Sequence, residues 1–339
     1  MNTALKVTLI VAIVLVVAGL IIMTVALVAS KFNLQKLIAP TLTDSSIPVS
    51  AEFTSISIKS DSATVSIARS TDGLCRVDFT DFDDDSVTHT VEVGNGVLNI
   101  VRRDASMTRG YISLGTGPSM TVFLPAEVYD ELEIETSSGD INVPGGISFT
   151  ELDVSATSGR IAVSDTDVRD ELDAETSSGS IRLQNVSARK LSAECSSGGL
   201  HLDNISCDEA ELKTSSGSIR ANSLELSGAL QAACMSGGMH IETVRCGSFE
   251  ADSSSGSVRL TDLVATGNID IKTTSGGITL DRCDAATLEL EASSGSVRGS
   301  LLTPKVYVVT TSSGIVRVPE QMSGGICRVR TSSGSVRFD

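Results

Sequence analysis

The sequence has 339 residues, enough for one large or two ordinary domains with a real hydrophobic core. It contains eight Phe, three Tyr and no Trp, so that core must use mainly aliphatic and small side chains. The formal net charge of −16 disfavours nucleic acid and anionic lipid as partners, because both require basic patches.

The first element in the chain is an uncharged, mostly aliphatic segment at residues 7–29, between Lys6 and Lys31. At 1.5 Å rise per residue, a helix of this length covers the roughly 30 Å hydrocarbon core of a bilayer. The alternative is a cleaved signal peptide, whose apolar region usually has about 7–15 residues before an A-x-A-like site. The length therefore predicts an uncleaved transmembrane helix after a short tail, residues 1–6.

The orientation of this helix is not decided by its flanking lysines, because they stand on both sides. No Asp or Glu precedes Lys31, so the remainder has 42 acidic and 25 basic residues (26 less Lys6), a net charge of −17. An acidic, Ser/Thr/Gly-rich domain behind such a short tail is most simply placed outside the cell. We therefore predict a single-pass cell-membrane protein with an extracytoplasmic domain.

Between the helix and the repeats, the sequence predicts two further segments. Residues 32–50 have the character of a short stalk with little structure. Residues 51–135 alternate between apolar and polar side chains, as at Ile56 and Ile58, and turn formers such as Thr-Asp-Gly at 71–73 separate the runs. This pattern predicts an all-β part that starts the repeat domain and caps its first coil.

The remainder, residues 136–339, is dominated by a Ser-Gly pair that recurs eleven times at steps of 19 or 20 residues. The glycines are Gly139, Gly159, Gly179, Gly198, Gly217, Gly237, Gly256, Gly276, Gly295, Gly314 and Gly334. Counted from the glycine, positions −7, −5, −3 and +2 are apolar or small, whereas −6 and −4 are mostly polar. This period of two predicts strand, bend, strand and polar turn. Stacked copies would form an all-β parallel β-solenoid.

Two details of the repeat bear on its geometry. Glycine suits a bend with little steric room, or one with positive φ, and the small residue at −3 suits a tight corner. Arginine stands at +3 in alternate repeats, 38 or 39 residues apart, and Arg317 breaks this alternation; the others are Arg182, Arg220, Arg259, Arg298 and Arg337. A coil of about 20 residues and one of about 39 residues both fit, and the alternation slightly favours the longer coil.

The motifs resemble a known family. Leu124-Pro125, the segment LEIETSSGDI at residues 132–141 and the reiterated Thr-Ser-Ser-Gly-Ser-(Ile/Val) are similar to the bacterial DUF4097 family, over about residues 51–339. Its members are described as candidate adhesins with a β-solenoid fold, often behind a membrane segment or signal. The resemblance implies an exported, cell-surface bacterial protein. It brings no catalytic residues, and "adhesin" specifies neither a ligand nor a mechanism.

The histidines and acidic residues predict no metal site. His201 and His240 both lie at +3 and would stack in a 39-residue coil, but the next equivalent is Thr279, so an exposed polar column is the simpler interpretation. His89 has no apparent partner in the sequence. The acidic run Asp81, Asp83, Asp84 and Asp85 lacks the glycine and distal glutamate of an EF-hand and is interpreted as a solvated loop.

The seven cysteines include no C-x-x-C motif, which argues against zinc ribbons and thioredoxin-type sites. Cys195, Cys234 and Cys327 fall in inward columns and are predicted to be buried small hydrophobes, and the others are Cys75, Cys207, Cys246 and Cys283. Cys195 and Cys234 would approach disulfide distance only in a 39-residue coil. There is no G-x-S-x-G motif, and the periodic serines indicate structure rather than hydrolysis. No catalytic residue, cofactor or metal is predicted.

The sequence leaves three candidate functions for this protein. The first is a non-catalytic, membrane-anchored surface scaffold that binds an unknown protein or surface glycan along flat faces. The second is a sensor or accessory component of an envelope-stress system, which would need a membrane partner because the tail carries no signalling domain. The third is a carbohydrate-active enzyme, disfavoured by the scarcity of aromatic platforms. The chain also ends at Asp339, directly after a repeat corner, which predicts an uncapped last coil that pairs with a partner or another copy.

Overall fold

The computed structural model describes residue 24 and residues 42–83, 86–105 and 117–339. Apart from Thr24, the predicted membrane helix at 7–29 lies outside these residues, as does the predicted stalk before residue 42. Within the described part of the chain, no helix is long and apolar enough to cross a membrane.

The described residues form an all-β fold of 26 strands. Their bounds are β1 (Leu42–Val49), β2 (Ser55–Ser60), β3 (Thr64–Arg69), β4 (Cys75–Phe82), β5 (Val87–Gly94), β6 (Val97–Asp104), β7 (Ser119–Leu124), β8 (Val128–Thr136), β9 (Ile141–Val143), β10 (Ser148–Ala156), β11 (Ile161–Thr176), β12 (Ile181–Cys195), β13 (Leu200–Thr214), β14 (Ile219–Leu226), β15 (Ala229–Cys234), β16 (Met239–Cys246), β17 (Ser248–Ser253), β18 (Val258–Ala265), β19 (Asn268–Thr273), β20 (Ile278–Cys283), β21 (Thr287–Ala292), β22 (Val297–Leu301), β23 (Lys305–Thr311), β24 (Val316–Arg317), β25 (Gly325–Thr331) and β26 (Val336–Phe338).

The strands of successive repeats pair in parallel and build a β-solenoid of about ten turns. Ile161 lies beside Ile181, and Leu191 lies beside Ala210, so neighbouring strands are one repeat apart. Each coil therefore contains 19 or 20 residues. The preference for a 39-residue coil was wrong, because a second bend in each repeat lets one repeat close a full turn.

This second bend lies six residues after the repeat glycine. Its residues have φ of 51–58°, and they are Asp165, Asn185, Asn204, Ser223, Thr243, Asp262 and Arg282. Asn and Asp enter this left-handed region more readily than most residues, which explains their frequency here. Their side chains also join coils, since the Asn185 amide donates to Asp165 at 2.7 Å and the Asn204 amide to Asn185 at 2.9 Å.

The first bend needs glycine because adjacent coils approach closely, and none of the repeat glycines has positive φ. A Cβ added at any of them would lie 1.5–2.2 Å from a backbone oxygen of the neighbouring coil. The residue at −3 does more than fit the corner. The Thr214 hydroxyl accepts from the Gly217 N–H and donates to the Gly198 carbonyl, both at 3.1 Å. Threonine therefore joins the bend to the previous coil.

The core is a set of continuous apolar columns inside the coils. Positions −7, −5, −3 and +2 point inward, as the sequence predicts, and positions +4, +7 and +9 add three more columns. Leu183, Val186 and Ala188 show them within one coil. Burial of these aliphatic side chains stabilises the stack at roughly 25 cal/mol per Å² of apolar surface.

The N-terminal end is covered by antiparallel strands. β4 pairs with both β1 and β7, and β5 pairs with β6. Leu42–Val49 fall within the predicted stalk but instead form β1, because β4 offers them a full eight-residue partner. Beneath this end Arg102 is fully buried, and its guanidinium donates to Asp81 at 2.9 Å and lies 3.4 Å from Asp104.

At the C-terminal end, the order of the last two coils is inverted. β25 and β26 insert between the coil of β21 and β22 and the coil of β23 and β24. The inserted coil is the more apolar one: Cys327, Val329 and Val336 are buried, and Phe338 packs over Gly299 and lies 5.1 Å from the Tyr307 ring. The uncapped coil is therefore β23 and β24, not the end of the chain as predicted.

Candidate binding stripe along the solenoid

Stacking brings the residues at +3 into a single line on the strand after the Ser-Gly bend. We call this line the cationic stripe; in spatial order it comprises Arg182, His201, Arg220, His240, Arg259, Thr279, Arg298, Arg337 and Arg317. Six of its nine members are arginines, in a chain whose formal net charge is −16. The strand holds them outward because their neighbours at +2 and +4 fill the core.

The central arginines of the stripe are exposed and unneutralised. Among the described residues, no carboxylate lies within salt-bridge distance of Arg182, Arg220, Arg259 or Arg298. By contrast, Arg189 and Arg282, elsewhere on the coils, lie 3.3 Å and 2.5 Å from aspartates. Unpaired guanidinium groups in a line are free to bind anions from solution.

The residues between the arginines reduce repulsion along the stripe. His201 lies between Arg182 and Arg220, and its Nε2 is 3.4 Å from Arg220 Nη1. Burial, and after it the charges of these two arginines, lowers the pKa of His201. Because histidine or threonine alternates with arginine over the first seven coils, the guanidinium groups there are separated by two coil spacings, about 9.6 Å.

A furrow runs beside the stripe. Its floor is the +1 column, which alternates serine with glycine: Ser218, Gly238, Ser257, Gly277 and Ser296. Serine stands in the arginine coils and glycine in the histidine or threonine coils. The furrow encloses about 680 Å³ between these small residues and the stripe. Its shape is that of an open groove parallel to the solenoid axis.

The strand before the Ser-Gly bend carries the opposite charge. Positions −6 and −4 form an acidic face of Glu133, Glu135, Asp153, Asp173, Glu175, Glu194, Glu211, Glu250, Asp252, Asp270, Glu289 and Glu291. Partial burial, and then the carboxylates of Asp173, Glu133, Glu135 and Glu175, raises the pKa of Asp153 to about 6. The negative net charge therefore lies largely on a different surface from the stripe.

All seven cysteines are free and buried. Cys195 and Cys234 are two coils apart, too far for a disulfide, and each takes the place of threonine at −3. The Cys195 thiol accepts from the Gly198 N–H at 2.9 Å, as threonine does elsewhere. Burial raises the pKa of Cys207 and Cys327 to about 12, so these thiols are poor nucleophiles.

The other residues considered for metal binding have protein partners. His201 and His240 are separated by Arg220 rather than stacked, and His240 contacts Glu242. Asp81 accepts from Arg102 and contacts His89 at 2.7 Å, so His89 does have a partner. Within the described ranges, no three His, Cys, Asp or Glu side chains are placed to hold a metal ion.

The family of this chain is shown by a family model that matches nearly all of its described residues. The family model described as Toastrack DUF4097 matches residues 53–245 and 239–339. The chain belongs to the DUF4097 family. No curated protein matches the sequence.

Several solved structures are similar at low identity. A putative adhesin from Bacteroides fragilis NCTC 9343 is 14% identical, covering 88% of this chain and 97% of that one, with a TM-score of 0.33. A putative lipid binding protein from Parabacteroides distasonis ATCC 8503 is 15% identical over the same shares, with a TM-score of 0.44. A putative adhesin from the same organism is 14% identical, again over these shares, with a TM-score of 0.40.

The stripe was missed in the sequence although its signal was present. The segment Ser-Gly-Ser-(Ile/Val)-Arg in alternate repeats of this chain shows the arginines, but their spacing of 38 or 39 residues indicated a long coil instead of a single line of charge. Once each coil holds one repeat, arginine and histidine at +3 fall on one line. The net charge of a chain does not give the charge of each of its surfaces, because an acidic chain can still present a basic stripe.

Proposed function

We propose that this DUF4097 protein is a non-catalytic binding scaffold, anchored in the cell membrane by residues 7–29 with its solenoid outside the cell. The observation that carries the proposal is the cationic stripe: exposed, unneutralised arginines repeated along one rigid face. A rigid array of weak contacts gains affinity through multivalency without a deep pocket. An extended surface of this kind suits a binding module better than an enzyme, which needs convergent groups around one reacting atom.

Anchoring and display are tested on intact cells that express the full chain with an epitope tag after Asp339. We expect the tag to sediment with membranes and to be removed by protease added outside. A variant lacking residues 7–29 should no longer sediment with membranes. A tag that sediments but resists external protease until the membrane is permeabilised would contradict the proposed orientation.

Binding is tested by incubating the full chain, in phosphatidylcholine nanodiscs, with whole cells and with isolated envelope material. We expect retention that falls when stripe arginines are replaced by glutamine and that is accompanied by no release of sugar reducing ends. Retention without any dependence on the stripe, or turnover of a polysaccharide, would contradict the proposal. Retention that requires one membrane protein would instead favour the envelope-stress accessory.

The uncapped coil also supports self-association. β23 and β24 each pair on one side within the described chain, and Val308, Ile315 and Val316 are exposed there. Open strand edges with apolar side chains favour pairing with another strand. We therefore propose that two copies pair through this coil.

Light scattering of the full chain should show a mass that rises with concentration, and Val308→Lys should abolish the rise. Val128→Lys is the matched control, since Val128 is equally exposed but far from this coil. A strict monomer at high concentration would exclude the pairing.

A further inference from the structure

We infer that the ligand of the cationic stripe is an acidic polysaccharide with one negative charge per disaccharide, lying in the furrow parallel to the solenoid axis. This inference rests on the proposed binding function and specifies the ligand class of that same site. It is carried by the spacing of the charges, by the furrow beside them and by the surfaces that flank the stripe.

The spacing selects a sparsely charged polymer. Arg182, Arg220, Arg259 and Arg298 stand in every second coil, so consecutive guanidinium groups are about 9.6 Å apart at a coil spacing of about 4.8 Å. This distance is close to the length of two sugar units in an extended β-linked chain. A polymer with one carboxylate per disaccharide can therefore place each carboxylate on one arginine without changing its register along the stripe.

The furrow has the chemistry that a sugar chain needs. Ser218, Ser257 and Ser296 line it in the same coils as the arginines, and their hydroxyls can both donate to and accept from sugar hydroxyls. Gly238 and Gly277 stand in the intervening coils and leave the floor flat. The site therefore repeats every two coils. A subsite with serine and arginine alternates with one that has glycine and histidine or threonine, as two different sugar units alternate along a disaccharide repeat.

On the other side of the stripe, the carboxylates do not neutralise the four arginines that stand in every second coil. The +5 column carries carboxylates, and each has a partner: Asn222 donates to Asp203 at 2.8 Å, His240 contacts Glu242, Arg282 contacts Asp281 at 3.3 Å, and Arg337 contacts Asp339 at 3.1 Å. Of the stripe residues, His240 and Arg337 contact this column, whereas Arg182, Arg220, Arg259 and Arg298 contact no carboxylate among the described residues. An anionic polymer is therefore held on the furrow side of the stripe.

Two other classes of anion fit less well. Each strand of duplex DNA carries one charge about every 3.4 Å, and single-stranded nucleic acid is usually held by stacking on aromatic side chains, whereas no Phe, Tyr or Trp lines the furrow. An anionic membrane is a plane, and a plane pressed on a stripe one residue wide would also meet the carboxylates of the +5 column. A linear polymer meets only the stripe.

The test uses the full chain in phosphatidylcholine nanodiscs and hyaluronan octasaccharide, which has one carboxylate per disaccharide, in a calorimetric titration at low salt. The stripe variant is Arg220→Gln with Arg259→Gln. The control variant is Arg189→Gln with Arg245→Gln, which removes the same charge from exposed positions off the stripe. Circular dichroism checks that both variants fold. Single-stranded DNA and phosphatidylglycerol vesicles are titrated in parallel.

We expect the octasaccharide to bind, the stripe variant to lose at least about tenfold in affinity and the control variant to stay within about twofold. Binding should weaken as salt rises. Equal losses in the two variants, or absence of octasaccharide binding, would overturn the inference. Tighter, stripe-dependent binding of DNA or of vesicles would overturn it in favour of that ligand.

The failure of the inference is distinguishable from that of the proposed function. If the octasaccharide does not bind but envelope material still requires Arg220 and Arg259, only the ligand class is wrong. If envelope material does not bind either, the scaffold function itself fails.

Discussion

The strands of the interior coils and those at the two ends of the solenoid differ in how their edges are paired. In the interior, every coil pairs on both sides, and one small set of columns repeats. In the described chain the outermost strands of both ends pair on one side only, but β1 and β5 run antiparallel to their neighbours near a buried Arg102, whereas β23 and β24 run parallel and expose Val308, Ile315 and Val316. Regular stacking specifies the interior, but each end depends on particular residues that occur once.

The largest effect should come from breaking the interior at one repeat glycine. Gly237→Ala places a methyl group 1.6 Å from the Gly217 carbonyl oxygen, so adjacent coils must separate. We expect a loss of about 4–5 kcal/mol in the free energy of unfolding, a size that marks severe steric conflict. Urea denaturation measures it. Gly238→Ala is the control, because its nearest neighbour is 3.5 Å away; equal losses would contradict the close-approach explanation.

A comparable but smaller effect is expected at the N-terminal end. Arg102→Ala removes the guanidinium that contacts the buried carboxylates of Asp81 and Asp104, and removing one partner of a buried ion pair typically costs about 3–5 kcal/mol. Denaturation monitored by circular dichroism tests this. Arg103→Ala removes the same charge from the exposed neighbour and should change stability by less than about 0.5 kcal/mol. If both variants behave alike, the buried pair does not stabilise this end.

The hydroxyl at −3 hydrogen-bonds one interior coil to the next, and its removal should have a smaller effect. Thr214→Val keeps the shape but removes the bonds to the Gly217 N–H and the Gly198 carbonyl, at a cost of about 1–3 kcal/mol. Thr214→Ser retains the hydroxyl and should cost less than half as much. A valine variant as stable as the serine variant would mean that only size matters at −3.

The smallest effect concerns the acidic face. Because the pKa of Asp153 is raised to about 6 in the folded chain, the folded state binds more protons than the unfolded state between about pH 4 and 6. Stability from this group is present at low pH and is lost as pH rises through 6. Asp153→Asn should therefore raise Tm above pH 6.5 and leave it unchanged near pH 4. A difference in Tm between this variant and the unchanged chain that is the same at pH 4 and above pH 6.5 would contradict this explanation.

The interior was predictable because its signal repeats. Eleven copies of Ser-Gly defined the strands, the bend and the inward columns at −7, −5, −3 and +2. A polar turn after the second strand was predicted but its left-handed bend at +6 was not, because left-handed φ is tolerated by Asp165 and Asn185 but also imposed on Thr243 and Arg282, which carry no such preference. Without that bend, the sequence did not show that one repeat of 19 or 20 residues completes one turn of the solenoid.

The ends were less predictable because their determinants are single and non-local. Nothing in the local sequence shows that Leu42–Val49 pair with β4, or that Arg102 meets Asp81 across 21 residues. The inversion at the C-terminal end depends on Phe338 fitting over Gly299, a contact between residues 39 apart. Such pairings are decided by packing, not by propensity.

The central claim is that one repeat closes one turn, since only then do the arginines and histidines form a single stripe. Disulfide formation in the double variant Glu211→Cys with Gln231→Cys tests it directly, compared with Glu211→Cys with Glu250→Cys. The first pair is adjacent in register and should oxidise readily, because neighbouring coils lie about 4.8 Å apart. The second pair lies two coils apart and should remain reduced. The reverse result would contradict the account.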